Sequence, residues 1–104
     1  MAPFREEKLR RLQSIFKTLS VYLRLKILVL LAEKPRYAYE LSKILGISYP
    51  LVHLHLRALE RAGLVSSEYE VTEEGRVRRY YRLRDFKIVL TPEELRKMGG
   101  GDES

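Results

Sequence analysis

Two groups of side chains in this chain of 104 residues could do chemistry: a histidine pair, His53 and His55, and a run of arginines between Gly75 and Asp85. Two residues apart on a helix, the histidines point about 160–200° away from each other, so they cannot share a metal ion. His55 falls on an apolar face with Val52, Leu56 and Leu59 and is expected to be packed and hydrogen-bonded, with His53 exposed. There is no cysteine, which removes disulfides and thiolate metal sites and fits a reducing compartment. With no glycine-rich phosphate loop and no histidine beside an evident carboxylate, neither an enzyme, a cofactor nor a bound metal is expected. The arginines offer different chemistry. Arg76, Arg78, Arg79, Arg82 and Arg84 carry planar guanidinium forks that match phosphate oxygens.

Periodicity identifies the elements that must position these groups. Leu9, Leu12, Phe16 and Leu19, widened by Ile15, form one apolar stripe over residues 5–19 and predict a helix. Ser20 is expected to cap a second helix over 21–33, which is apolar almost all round until Pro35 and so should be central or face both a core and a partner. A short third helix is predicted over 39–45, with Ala38 as a weak cap, Leu41, Ile44 and Leu45 inward, and Gly46 as the turn. The fourth helix, residues 49–62, has Ser48 as its cap, Pro50 in its first turn and Gly63 as its stop. Two strands, 64–71 and 76–84, flank a turn at Thr72–Gly75. Thr91-Pro92-Glu93-Glu94 opens a last short helix. The predicted class is mainly α with a small β-hairpin wing (α+β), one domain over 1–98, with a helix-turn-helix at 39–62, a wing at 64–84 and a disordered tail at 99–104.

On the fourth helix, Ser48, Tyr49, Pro50, His53, Leu54, Arg57 and Arg61 lie away from the apolar face. A helix in a DNA major groove presents its N-terminal turns to base edges. Tyr49, His53 and Leu54 would then reach bases, and Arg57 a base or a phosphate. Leu54 and Pro50 can make only apolar contacts, such as with a thymine methyl. In the hairpin, strand alternation turns Val77, Tyr81 and Leu83 to the core, with Arg79 near the tip, and Arg78, Tyr80 and Arg82 outward. Arg76, Arg78 and Arg79 are expected on DNA backbone or in a narrow minor groove, against competition from Glu68, Glu70, Glu73 and Glu74.

Composition agrees. A formal net charge of +6 and a pI near 9.7 point to a polyanion, most readily double-stranded DNA. The longest apolar run, Ile27 to Ala32, is far short of a membrane span, and the charged opening residues do not read as a secretory leader, so a cytoplasmic location is expected. Asparagine is absent, Gln13 is the lone glutamine, and Arg, Lys and Glu dominate the polar residues, as in thermophile proteins.

The ordered set FKTLSVYLRLKILVLLAE (Phe16–Glu33), YELSKILGISYPLVHLHLRALERAGLV (Tyr39–Val65) and GRVRRYYRLR (Gly75–Arg84) resembles the ArsR-like winged helix-turn-helix regulators over residues 16–84. MarR-like and PadR-like regulators share this architecture. The resemblance implies a homodimeric transcriptional regulator that pairs through its first and last helices. The stripe of Leu9, Leu12, Ile15, Phe16, Leu19 and Leu23 independently suggests a partner helix, with Phe86, Val89 and Phe4 extending it. The chain departs from the family's metal sensors, which carry a cysteine pair in the third helix or histidine and carboxylate ligands in the last. It also carries Tyr49, Pro50, Leu51 and Leu54 where polar base readers are common, and Val21-Tyr22 in place of an acid-proline pair. Two other readings of the same residues are a winged-helix module that docks to protein through Tyr49, Leu51 and Leu54, and a non-specific chromatin protein.

Overall fold

The computed structural model describes residues 3–99; of the tail expected over 99–104, residues 100–104 lie outside the described residues. Its elements are α1 (Glu6–Leu19), α2 (Tyr22–Glu33), β1 (Arg36–Tyr37), α3 (Ala38–Leu45), α4 (Tyr49–Arg61), β2 (Val65–Val71), β3 (Val77–Leu83) and α5 (Pro92–Lys97). The three strands form one antiparallel sheet in the order β1-β3-β2.

The core gathers one face from each central element: Ile27 and Leu31 of α2, Leu41 of α3, Val52, Leu56 and Leu59 of α4, then Leu64, Val65 and Tyr81. Local chemistry sets the helix ends. Ser48 Oγ accepts the Leu51 N–H at 3.3 Å, Thr91 Oγ1 accepts the Glu94 N–H at 3.1 Å, and Gly63 takes φ +80° after α4, a left-handed conformation that a side chain would strain.

Several expectations are corrected. Ser20 does not cap α2: its hydroxyl donates to the Lys17 carbonyl at 2.8 Å and closes α1, leaving Val21 at the α2 N-cap without a side-chain bond. Ala38 is not a cap but a buried first residue of α3; the turn is held instead by the Tyr37 N–H donating to Glu40 Oε1 at 3.1 Å. Ile44 is 51% exposed rather than inward, because Ala38, Leu41, Ser42 and Leu45 already fill the inner face of α3. The two-residue strand β1 was not expected at all; it pairs Arg36 with Tyr81 and Tyr37 with Tyr80 and makes the hairpin a three-stranded sheet.

α2 is apolar on both sides, as its composition suggested. Ile27 and Leu31 enter the core, while Tyr22, Leu25 and Val29 line the opposite, exposed face. α1 buries no residue completely despite its stripe: Leu9, Leu12, Ile15, Leu19 and the neighbouring Leu23 are half-buried and Phe16 is exposed. The segment after β3 runs beside α1, where Ile88, Val89 and Met98 share a shallow groove with Leu12 and Ile15. Arg5 locks the two ends together, its N–H donating to the Met98 carbonyl at 2.9 Å and its Nε to the Lys97 carbonyl at 3.1 Å. Phe86 and Val89 remain exposed beside it. The molecule is long and narrow, 60 × 25 × 22 Å, with a radius of gyration of 17.4 Å where a compact chain of about 100 residues has about 13 Å.

Candidate nucleic-acid interface

α4 offers the surface its pattern promised. Val52, His55, Leu56 and Leu59 are buried, while Ser48, Tyr49, Pro50, Leu51, Leu54, Arg57 and Arg61 are exposed. His53 differs from expectation: it is half-buried, packed edge-on against Tyr49 with ring centroids 4.5 Å apart and against Tyr81 at 6.3 Å. Burial, then the Arg79 and Arg57 charges, lower its pKa, so at neutral pH it presents an uncharged ring. His55 points the other way, into α2. Its Nδ1 accepts from Arg24 Nε at 3.1 Å, which puts the neutral ring's proton on Nε2, and Arg24 Nη1 also donates to the Thr18 carbonyl at 3.2 Å. Burial, then the Arg24 charge, lower the His55 pKa. Among the described residues no three potential metal ligands converge.

β2 and β3 pair from Val65–Leu83 to Val71–Val77, and the hairpin projects beyond the body. Val77 is therefore 66% exposed, not a core residue: strand alternation points it to the α4 side, but no helix lies under the tip. Thr72 closes the turn, its Oγ1 accepting the Arg76 N–H at 3.1 Å.

The arginines separate into distinct environments. Arg76 is exposed at the tip. Arg78 is half-buried, its guanidinium 4.4 Å from the Tyr37 ring centroid on the outer face. Arg82 pairs with Glu68 at 3.2 Å. Arg79 is corrected: it does not lie free near the tip but braces the sheet against α4. Its Nε donates to Ser67 Oγ at 2.9 Å, that hydroxyl donates to Glu60 Oε2 at 2.9 Å, and Arg79 Nη2 reaches both Glu60 oxygens at 3.4 Å. Its guanidinium also lies 5.1 Å from the Tyr81 ring. Glu60 had no visible role in the sequence, because its partner stands 19 residues away.

The first turns of α3 and α4 and the outer half of β3 enclose an open cleft of about 290 Å³. Tyr37, Tyr39, Tyr49 and Tyr81 line it together with His53, Arg76, Arg78 and Arg79, and no carboxylate does. Of the sequence-named residues, Tyr49, His53, Arg76, Arg78 and Arg79 thus meet. Arg61 does not: it lies by a separate basic hollow with Lys17 and Arg24, against α1. Tyr37, Tyr39 and Tyr81 were missed as site residues. Tyr81 was traceable only as the next inward position after Arg79 on β3.

Residues 23–67 match the family described as bacterial regulatory protein, arsR family. An uncharacterized HTH-type transcriptional regulator of Methanocaldococcus jannaschii is 42% identical over 82 residues, covering 79% of this chain and 85% of that protein. The amide-poor composition fits this archaeal relative. Among solved structures, the homodimeric winged helix-turn-helix DNA-binding domain of a possible ArsR-family transcriptional regulator from Mycobacterium bovis superposes with a TM-score of 0.68 at 29% identity, covering 80% of this chain and 72% of that one. The transcriptional repressor BigR from Xylella fastidiosa has a TM-score of 0.65 at 27% identity, covering 79% and 76%.

Proposed function

The chain belongs to the arsR family of winged helix-turn-helix DNA-binding transcriptional regulators, and from that premise we propose that it acts as a homodimer with its two α4 helices in successive major grooves of double-stranded DNA, about 34 Å apart. The observation that carries this reading is the exposed N-terminal half of α4 beside a wing whose cleft holds three arginines and no carboxylate. Tyr49, Pro50, His53 and Leu54 face base edges, Ser48 reaches the flanking backbone, Arg57 a base or a phosphate, and Arg76 and Arg78 lie on phosphates. Arg61 sits at the far end of α4 and touches DNA only where the duplex bends towards α1.

Dimer pairing through α1 and the segment after β3 rests on α1 itself. A fourteen-residue amphipathic helix with no buried residue has an unspent apolar face. Leu12 and Ile15 on α1 share a groove with Val89, and a second copy would cover them together with Leu9 and the exposed Phe16 and Phe86; Leu19 and Leu23 extend the stripe. The DNA partner implies a cytoplasmic location, and no helix among the described residues is long and apolar enough to cross a membrane.

Gel shift with genomic fragments over a salt series tests the reading. If the dimer neutralises about 6–10 phosphates, affinity falls roughly 10³–10⁵-fold between 50 and 200 mM salt. A flat salt response refutes it. Absence of any shift favours protein docking instead, for which the exposed Tyr49, Leu51 and Leu54 would serve, and equal shift of all fragments favours a non-specific chromatin protein.

A further inference from the structure

The basic hollow between α1, α2 and α4 is left unused by groove reading. It encloses about 360 Å³, at the small end of ligand pockets. Lys17, Arg24 and Arg61 line it beside Ser14 and Thr18, and no carboxylate does. Ala58 and Ala62 form the α4 wall, and their small side chains leave the space open.

Arg24 is the informative member. Its Nε donates to His55 Nδ1 at 3.1 Å and its Nη1 to the Thr18 carbonyl at 3.2 Å. Burial and the Arg24 charge keep His55 neutral, so two neutral acceptors hold the guanidinium in place. Its Nη2 makes no bond among the described residues. Arg36, Arg79 and Arg82 are half-buried like Arg24, yet each meets a carboxylate, from Glu33, Glu60 and Glu68. A partly desolvated guanidinium held only by neutral groups favours an anion beside it.

Helix dipoles account for only part of this charge. Lys17 and Arg61 stand in the last turns of α1 and α4, where cations offset the negative helix ends. Two such ends supply about one negative charge between them, so of the three cations roughly two charges remain. None of the three forms an ion pair among the described residues.

We propose that this hollow binds a phosphate dianion, either free or as the monoester group of a small molecule. Such a group carries close to two negative charges at neutral pH, which matches the charge left over. Arg24 is the fixed fork, Lys17 and Arg61 close on the anion from α1 and α4, and Ser14 and Thr18 add hydroxyl donors. The site joins the helix proposed to pair the copies to the helix proposed to read DNA, a coupling that rests on the functional reading above. Filling it removes about two positive charges per protomer from the end of α4, so the bound anion weakens DNA binding.

The free protein is titrated with inorganic phosphate, against chloride at equal ionic strength, and its backbone amide resonances are followed. Thr18 and Ala62 should shift to saturation with phosphate and not with chloride. Lys17→Gln should weaken phosphate roughly tenfold. Ala58→Leu fills the hollow without changing charge and should abolish the response. Shifts that never saturate, that chloride reproduces or that survive Ala58→Leu overturn the site. Glycerol phosphate binding tighter than inorganic phosphate assigns the site to a monoester; equal or weaker binding assigns it to the free ion. Duplex affinity by anisotropy, again at equal ionic strength, should fall roughly fivefold or more with phosphate and then level off, while Ala58→Leu binds duplex equally in both salts. A loss that keeps growing in proportion to phosphate marks direct competition, makes the hollow a DNA contact and overturns the proposal. Unchanged duplex affinity keeps the anion site and overturns its coupling to DNA. If wild type binds no DNA, the functional reading fails and the amide titration still decides the site.

Discussion

Replacing Glu60 with glutamine separates two roles for Arg79, as a brace inside the protein or as a contact to DNA. Glu60 and Arg79 meet at 3.4 Å with side chains 28% and 39% exposed. At that distance and an effective dielectric of about 20, the bare attraction is about 5 kcal/mol. Partial exposure, side-chain ordering and salt remove most of it, and pairs open to solvent to this degree retain about 1 kcal/mol or less. The Ser67 bridge keeps this pair near the upper end of that range. Glu60→Gln should therefore lower stability by about 1 kcal/mol, or roughly 4–8 °C in Tm for a chain of this size. It should also strengthen DNA binding severalfold at low salt, because a carboxylate leaves the interface and the Arg79 charge is released. Arg79→Met should cost similar stability and leave the salt slope unchanged. Thermal unfolding and fluorescence anisotropy over a salt series, run on both variants, check this. An Arg79→Met protein with wild-type Tm, weaker binding and a slope reduced by about 1.8, one phosphate for each protomer of the dimer, would refute the brace and make Arg79 a phosphate contact.

Other outcomes follow from the same geometry. His53 and His55 both have pKa values lowered below 6.5, so below pH 6.5 the unfolded chain binds more protons than the folded one. Their contribution to stability is fully present above pH 6.5 and is lost as pH falls below it; Tm measured from pH 7.5 to 5 should fall, His55→Leu should flatten that fall, and a Tm that rises on acidification would contradict it. Phe16→Asp places a charge on the exposed stripe of α1 and should convert the proposed dimer to monomer in sedimentation, whereas an unchanged dimer mass would exclude α1 from the interface. Arg57→Ala should weaken specific DNA binding by about tenfold, and equal affinity in anisotropy would remove Arg57 from the contact surface.

The parts legible in the sequence are those whose causes lie within a few residues. Ser48 caps α4 through a bond to Leu51, Thr91 caps α5 through Glu94, and Gly63 stops α4 by its own backbone angle. The apolar periods of α1 and α4 followed in the same way, as did the buried, hydrogen-bonded character of His55. Where a near neighbour competed, the sequence misled: Ser20 had a closer acceptor in Lys17 than any donor in α2.

The sequence by itself thus determined the order of helices, the exposed face of α4 and the basic character of the hairpin, because helix turns and strand alternation are local and repeat with fixed periods. Only tertiary structure decided which charges are free. A two-residue strand such as β1 has no period to read, yet it brings Tyr37 beside Tyr80. The length by which the wing overhangs the body exposes Val77, and the approach of β3 to α4 gives Arg79 to Glu60 while Arg76 and Arg78 make no ion pair among the described residues. These outcomes depend on distances between residues far apart in the chain, which packing of the whole core sets and no local pattern encodes.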